Sequence, residues 1–209
     1  MKVVLLHGWP LSERMWLSQT IALRDAGFDP VTPYLYGRGP SIDDWAAEIL
    51  QEVYGSLVPV GASMGGYVAL ALARRAPERV LGMALVSSRA DADSWERRRE
   101  REYTIAALND GERPENADPE VSLEHLARAQ TAIRDRLDLT GVVASFGGPL
   151  LVCAGGKDPM ATVEESRALA ETALEGRFEV FADSGHFPSL EEPEAFNTVL
   201  LDFLSQWRT

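Results

Sequence analysis

Short apolar runs recur along the chain, each followed by a longer segment of helical spacing, and this alternation restricts the fold more than any other feature. A strand without polar alternation must be buried on both faces, which is the condition of strands in parallel sheets flanked by helices. Six runs qualify: Lys2 to Leu6, Asp29 to Tyr34, Ser56 to Val60, Val80 to Val86, Pro149 to Ala154 and Arg177 to Phe181. Helical patterns lie near Glu13 to Ala26, Ile42 to Tyr54, Met64 to Ala76, Val163 to Leu174 and Pro193 to Gln206. Thr162 and Glu165 have the spacing of a capping box, so a helix starts there. The predicted architecture is α/β, a three-layer sandwich around a six-stranded, mostly parallel sheet.

One stretch interrupts the alternation. Ser87 to Phe146 has no convincing strand and is rich in charge and alanine, so 88–146 reads as a short helical cap within a single domain spanning 1–209. Its run Trp95 to Tyr103 mixes arginine and glutamate at helical spacing, the pattern of a solvated, ion-paired helix face.

The net charge of −12 repels phosphate backbones and anionic membranes, which argues against nucleic-acid or membrane partners. The apolar run before His7 is too short for a leader or a spanning helix, and a cytoplasmic location is expected. The single cysteine, Cys153, lies in an apolar run where burial keeps it inert. Histidines at 7, 125 and 186, without paired cysteines, lack metal-site spacing, so neither metal nor cofactor is expected.

Gly61-Ala62-Ser63-Met64-Gly65 stands between a strand and a helix, the setting of a nucleophile elbow. A phosphate loop would need a lysine next to serine or threonine at the helix start, and Gly65-Gly66-Tyr67 has none. A serine hydroxyl needs a base in reach and a third group to orient that base. His186 follows the last strand candidate and Asp158 the fifth, both at strand C-termini, where open parallel sheets place their sites. If Asp158 does not serve, Asp91 and Asp93 are the next acids. His7 is assigned a structural part beside Gly8, and His125 a surface position in the cap. The backbone N–H groups of Met64 and Trp9 are placed to stabilise an oxyanion.

Through LLHGWP, GASMGG, GGKDP and SGHFPSLEEPEAFNTVLLDFL the sequence resembles the alpha/beta-hydrolase superfamily, most nearly its esterases, cofactor-free haloperoxidase-like hydrolases and 3-oxoadipate enol-lactonases. The order Ser63, Asp158, His186 is that family's order. The resemblance implies a sheet lacking the family's first two strands, because the His-Gly motif stands at His7. It also implies a small cap of about two helices. Tyr34 to Ser41 resembles the family's turn after its fourth strand, with Tyr34 and Tyr36 in place of an aspartate and an arginine.

The expected activity is hydrolysis of a small carboxylic ester or lactone through an acyl-enzyme. Carbon-carbon hydrolysis, acyl transfer or perhydrolysis on the same residues, and a low-turnover ligand receptor, are the competing readings. A short cap implies a shallow pocket with apolar walls from Trp9, Met64, Met160 and Phe187, and little gain from acyl chains beyond about four to six carbons.

Overall fold

The structure, a computed structural model, describes residues 1–208. Its strands are β1 (Lys2–Leu6), β2 (Pro30–Val31), β3 (Leu57–Ala62), β4 (Met83–Val86), β5 (Leu150–Gly155) and β6 (Gly176–Phe181). The helices are α1 (Leu17–Asp25), α2 (Ile42–Glu52), α3 (Met64–Arg75), α4 (Trp95–Asn109), α5 (Leu123–Arg134), α6 (Thr140–Ser145), α7 (Val163–Thr172), α8 (Pro188–Glu191) and α9 (Pro193–Leu204).

Neighbouring residues of each central strand part to opposite sides of the sheet, and this period-two division builds two cores. Val4, Leu6, Leu57, Met83, Leu85, Leu150 and Val152 join one apolar cluster, closed by residues of α2, α3, α5, α6 and α7. Val3, Leu5, Val58, Val60, Ala84, Val86, Leu151 and Cys153 join the other, closed by Trp16 and Leu23 and by Phe196, Leu200 and Phe203 of α9. All six strands are parallel, in the order β2-β1-β3-β4-β5-β6. Their C-terminal ends share one edge, where His7, Ser63, Ser87 and the loops bearing Asp158 and His186 emerge.

The second strand is shorter than the expected Asp29 to Tyr34. Only Pro30 and Val31 pair with β1. Pro33 has no N–H to give a ladder, and the Leu35 N–H goes instead to His7 Nε2 at 3.0 Å. The fourth also contracts, from Val80–Val86 to Met83–Val86, with Val80 left as an isolated bridge to Leu57. The expected capping box at Thr162 is present in both directions. Within 88–146, α4 and α5 pack on each other, while α6 lies against α3 and α7 in the layer covering the sheet. No helix among the described residues is long and apolar enough to cross a membrane.

Candidate active site

Ser63 ends β3 with φ 49° and ψ −112°, a conformation non-glycine residues avoid unless their surroundings enforce it. Two contacts enforce it. The Ser63 N–H donates to the Val86 carbonyl at 2.8 Å, and the Ser88 hydroxyl donates to the Ser63 carbonyl at 2.8 Å. Gly65 is required by close approach: a Cβ there would stand 2.1 Å from the Leu6 carbonyl oxygen. The glycine spacing of the motif thus lets α3 begin directly against β1.

His186 and Asp158, 28 residues apart, meet across the ends of β5 and β6, with His186 Nδ1 2.8 Å from Asp158 Oδ2. Their loops touch through backbone, since a Cβ on Gly155 would lie 1.8 Å from the Gly185 carbonyl oxygen. Asp158 Oδ1 accepts from the N–H groups of Met160 at 2.8 Å and Ala161 at 3.2 Å. Burial works to raise this carboxyl's pKa, but the His186 contact and the two N–H donors outweigh it and hold it below the usual value. An ionised carboxylate only accepts, so the His186 proton resides on Nδ1 and Nε2 is left as an acceptor. Nε2 is buried and has no hydrogen-bond partner among the described residues. Ser63 and His186 line the same cavity.

The N–H groups of Met64 and Trp9 donate to no acceptor among the described residues. Met64 opens α3 directly after Ser63, so its N–H belongs to a helix N-terminus. The Trp9 loop is held from above: its indole donates to the Leu126 carbonyl of α5 at 3.2 Å, and the Ser12 hydroxyl bonds the Asp118 carboxylate. His7 holds the loop from below. It is fully buried, accepts from Leu35 through Nε2, and has Nδ1 3.2 Å from the Gly8 carbonyl. Burial lowers its pKa to about 4, so it is neutral and unable to act as a solvent-exchanging base near the surface.

The cavity, of about 720 Å³, differs from the apolar pocket expected. Trp9 and Met160 line it, but Met64 is fully buried in the core and Phe187 turns away to pack against Gly8. In their place α4 supplies a polar wall with Arg97, Arg101 and Thr104. The solvated reading of Trp95 to Tyr103 therefore holds for only part of the helix, because one face of a helix laid over the strand ends must look down into the site.

Arg89 was not singled out by any motif. Its guanidinium donates to both carboxylate oxygens of Glu165, at 2.6 and 2.5 Å, and to the Met160 carbonyl at 2.6 Å. It thereby ties the loop after β4 to the loop that carries Asp158. The available signal for Ser87, Ser88 and Arg89 was their place immediately after a predicted strand.

Neither alternative acid is positioned for His186. Asp91 pairs with Arg97 at 3.3 Å, and Asp93 is enclosed between Arg101 and Arg136. His125 is partly exposed on α5, and its ring stacks on Tyr36 with centroids 6.4 Å apart. Tyr36, standing where the resembling turn has an arginine, donates its hydroxyl to the Leu11 carbonyl at 2.8 Å. Cys153 is fully buried in β5, and burial raises its thiol pKa.

An open parallel sheet, a serine forced into a sharp turn after a central strand, and an Asp-His pair at two later strand ends are the architecture of an alpha/beta-hydrolase fold. The chain belongs to the alpha/beta hydrolase family, whose model matches residues 3–199. A pimeloyl-[acyl-carrier protein] methyl ester esterase from Aromatoleum aromaticum is 40% identical over 92 residues, a match covering 41% of this chain and 36% of that protein. One from Yersinia enterocolitica is 27% identical over an alignment covering 99% of this chain and 94% of its own length. The solved structure of a thermophilic esterase from Thermogutta terrifontis, with malate bound, superposes with a TM-score of 0.92 at 27% identity, covering 100% of this chain and 91% of that one.

Proposed function

We propose that the protein hydrolyses a carboxylic ester or lactone through an acyl-enzyme on Ser63. The observation that carries this reading is the 2.8 Å contact of His186 Nδ1 with Asp158, which leaves Nε2 an unpartnered acceptor in the cavity that Ser63 lines. As the Ser63 hydroxyl adds to the substrate carbonyl, His186 Nε2 takes its proton and Asp158 stabilises the resulting imidazolium. The developing oxyanion is held by the N–H groups of Met64 and Trp9. His186 then returns the proton to the departing alkoxide, and a water activated by the same nitrogen releases the acyl group. These steps move protons and one acyl group, so the residues named suffice without a cofactor.

The segment 88–146 acts as the cap over this site, and the partner is a small molecule. The relatives named methyl ester esterases make esters of small alcohols the first class to test. Wild-type protein should turn over p-nitrophenyl butyrate, and Ser63→Ala and His186→Ala should each lower kcat by at least about a thousandfold. Full turnover by Ser63→Ala would remove the nucleophile assignment.

A further inference from the structure

Beneath α4, Asp93 has a side chain with no exposed surface and faces two guanidinium groups. Arg101 Nε lies 3.1 Å from its Oδ2, and Arg136 Nη1 lies 2.6 Å from its Oδ1, the latter an ion-pair contact outside hydrogen-bond geometry. Among the described residues no other carboxylate comes within 4.0 Å of either guanidinium. One negative charge thus serves two positive ones.

The two arginines differ in what else they meet. Arg136, only 3% exposed in its side chain, donates to the carbonyls of Ile133 and Asp91 and has its guanidinium carbon over Tyr67, 4.2 Å from the ring centroid. Its contacts are all with protein, and its buried Nε is without a hydrogen-bond partner among the described residues. Arg101 has, besides Asp93, only the Gln130 side-chain oxygen at 3.2 Å, and it lines the same cavity as Ser63 and His186. The uncompensated charge is therefore presented to the substrate. Arg97, one helical turn earlier, lines the cavity beside it but is already paired, with Asp91 at 3.3 Å and Glu165 at 3.6 Å. Glu96, Glu100 and Glu165 also line the cavity, but all three are exposed, where water screens them far more than it screens the cluster below, and Glu165 is already bound by the Arg89 guanidinium. A desolvated cation without a full counter-charge is costly, and an anion entering the cavity would relieve that cost.

We infer that Arg101, backed by Asp93 and Arg136, is the anion-recognition point of the substrate site, and that the preferred substrate is an ester whose acyl part carries a carboxylate. This rests on the hydrolase reading of Ser63 and adds the substrate class to it. Asp93 holds the Arg101 fork in place while supplying too little charge to neutralise it, so the guanidinium keeps donors for a second carboxylate.

The test compares mono-p-nitrophenyl glutarate, anionic at pH 7.5, with p-nitrophenyl valerate, a neutral ester of equal chain length. A charge-assisted contact contributes enough to favour the anionic ester by about tenfold in kcat/KM, chiefly through KM. In Arg101→Gln, which leaves Asp93 and Arg136 as a balanced pair, the anionic-to-neutral ratio should fall to about one, and Arg101→Lys should restore part of it. Calorimetric titration of glutarate into Ser63→Ala protein, and into the double variant with Arg101→Gln, reads the same site without turnover. A wild-type ratio of one or below, or glutarate binding unaffected by Arg101→Gln, would overturn the inference while leaving ester hydrolysis intact. If neither ester is hydrolysed, the reading of Ser63 fails, and glutarate binding lost on Arg101→Gln still supports the anion point; no glutarate binding overturns it.

Discussion

His186 Nδ1 lies 2.8 Å from Asp158 Oδ2, and the other oxygen of that carboxylate is occupied by two backbone N–H groups. The carboxylate is thus fixed on one side by its own loop and presents a single free edge to the imidazole. That arrangement sets the tautomer that leaves Nε2 facing the cavity, and the roles assigned to the site depend on it.

Asp158→Asn preserves the shape but can offer an N–H where the histidine proton must be accepted. It should reduce kcat by about two to four orders of magnitude, measured on p-nitrophenyl butyrate. The carboxyl's pKa is depressed in the folded protein, so its stabilising effect is present above the usual carboxylate range and is lost as pH falls through the folded value. Chemical denaturation across acid pH should accordingly show a shallower pH dependence for Asp158→Asn than for wild type.

His7 gives a second, separable pH signature. Burial lowers its pKa from 6.5 to about 4, so between those values the unfolded chain binds a proton that the native protein refuses. Its contribution is intact above pH 6.5 and declines as pH falls toward 4, by about 3 kcal/mol in all. His7→Gln keeps an acceptor for the Leu35 N–H and should remove that component of the pH dependence. Equal slopes for wild type and variant in urea titrations would show that His7 is accessible to protons in the native state.

The elbow's glycine is a backbone requirement and its test is steric. Gly65→Ala would push a methyl group into the Leu6 carbonyl, which the sheet cannot move, and should cost more than about 3 kcal/mol or prevent folding. Gly147→Ala, where an added Cβ meets nothing within 4 Å, should stay within about 0.5 kcal/mol of wild type. Thermal or urea unfolding of the two variants distinguishes a specific close approach from a general intolerance of change.

What the sequence discloses and what it hides divide along physical lines. The strand-helix alternation is a local signal of burial, and it anticipated all six strands and their parallel arrangement. The convergence of Ser63, Asp158 and His186 was legible because each follows a strand, and the sheet brings strand ends to one edge. Strand lengths were overestimated where prolines and a competing acceptor, His7 Nε2, drew the Asp29 to Tyr34 segment off the ladder. The cavity wall was misread for a different reason. Arginine and glutamate at helical spacing look alike whether the helix faces water or a site, and only its packing on α5 shows that Arg97 and Arg101 look inward. Phe187, adjacent to His186 in sequence, is not a cavity wall because its side chain fills the space over Gly8.

The central claim is that Ser63 is an activated nucleophile, and covalent labelling tests it most directly. Folded wild-type protein treated with a fluorophosphonate should gain one adduct by intact-protein mass spectrometry, mapped by peptide sequencing to Ser63. Labelling should be abolished in Ser63→Ala and strongly slowed in His186→Ala. A folded wild-type protein that acquires no adduct, or acquires it at another residue while Ser63→Ala labels normally, would contradict the account.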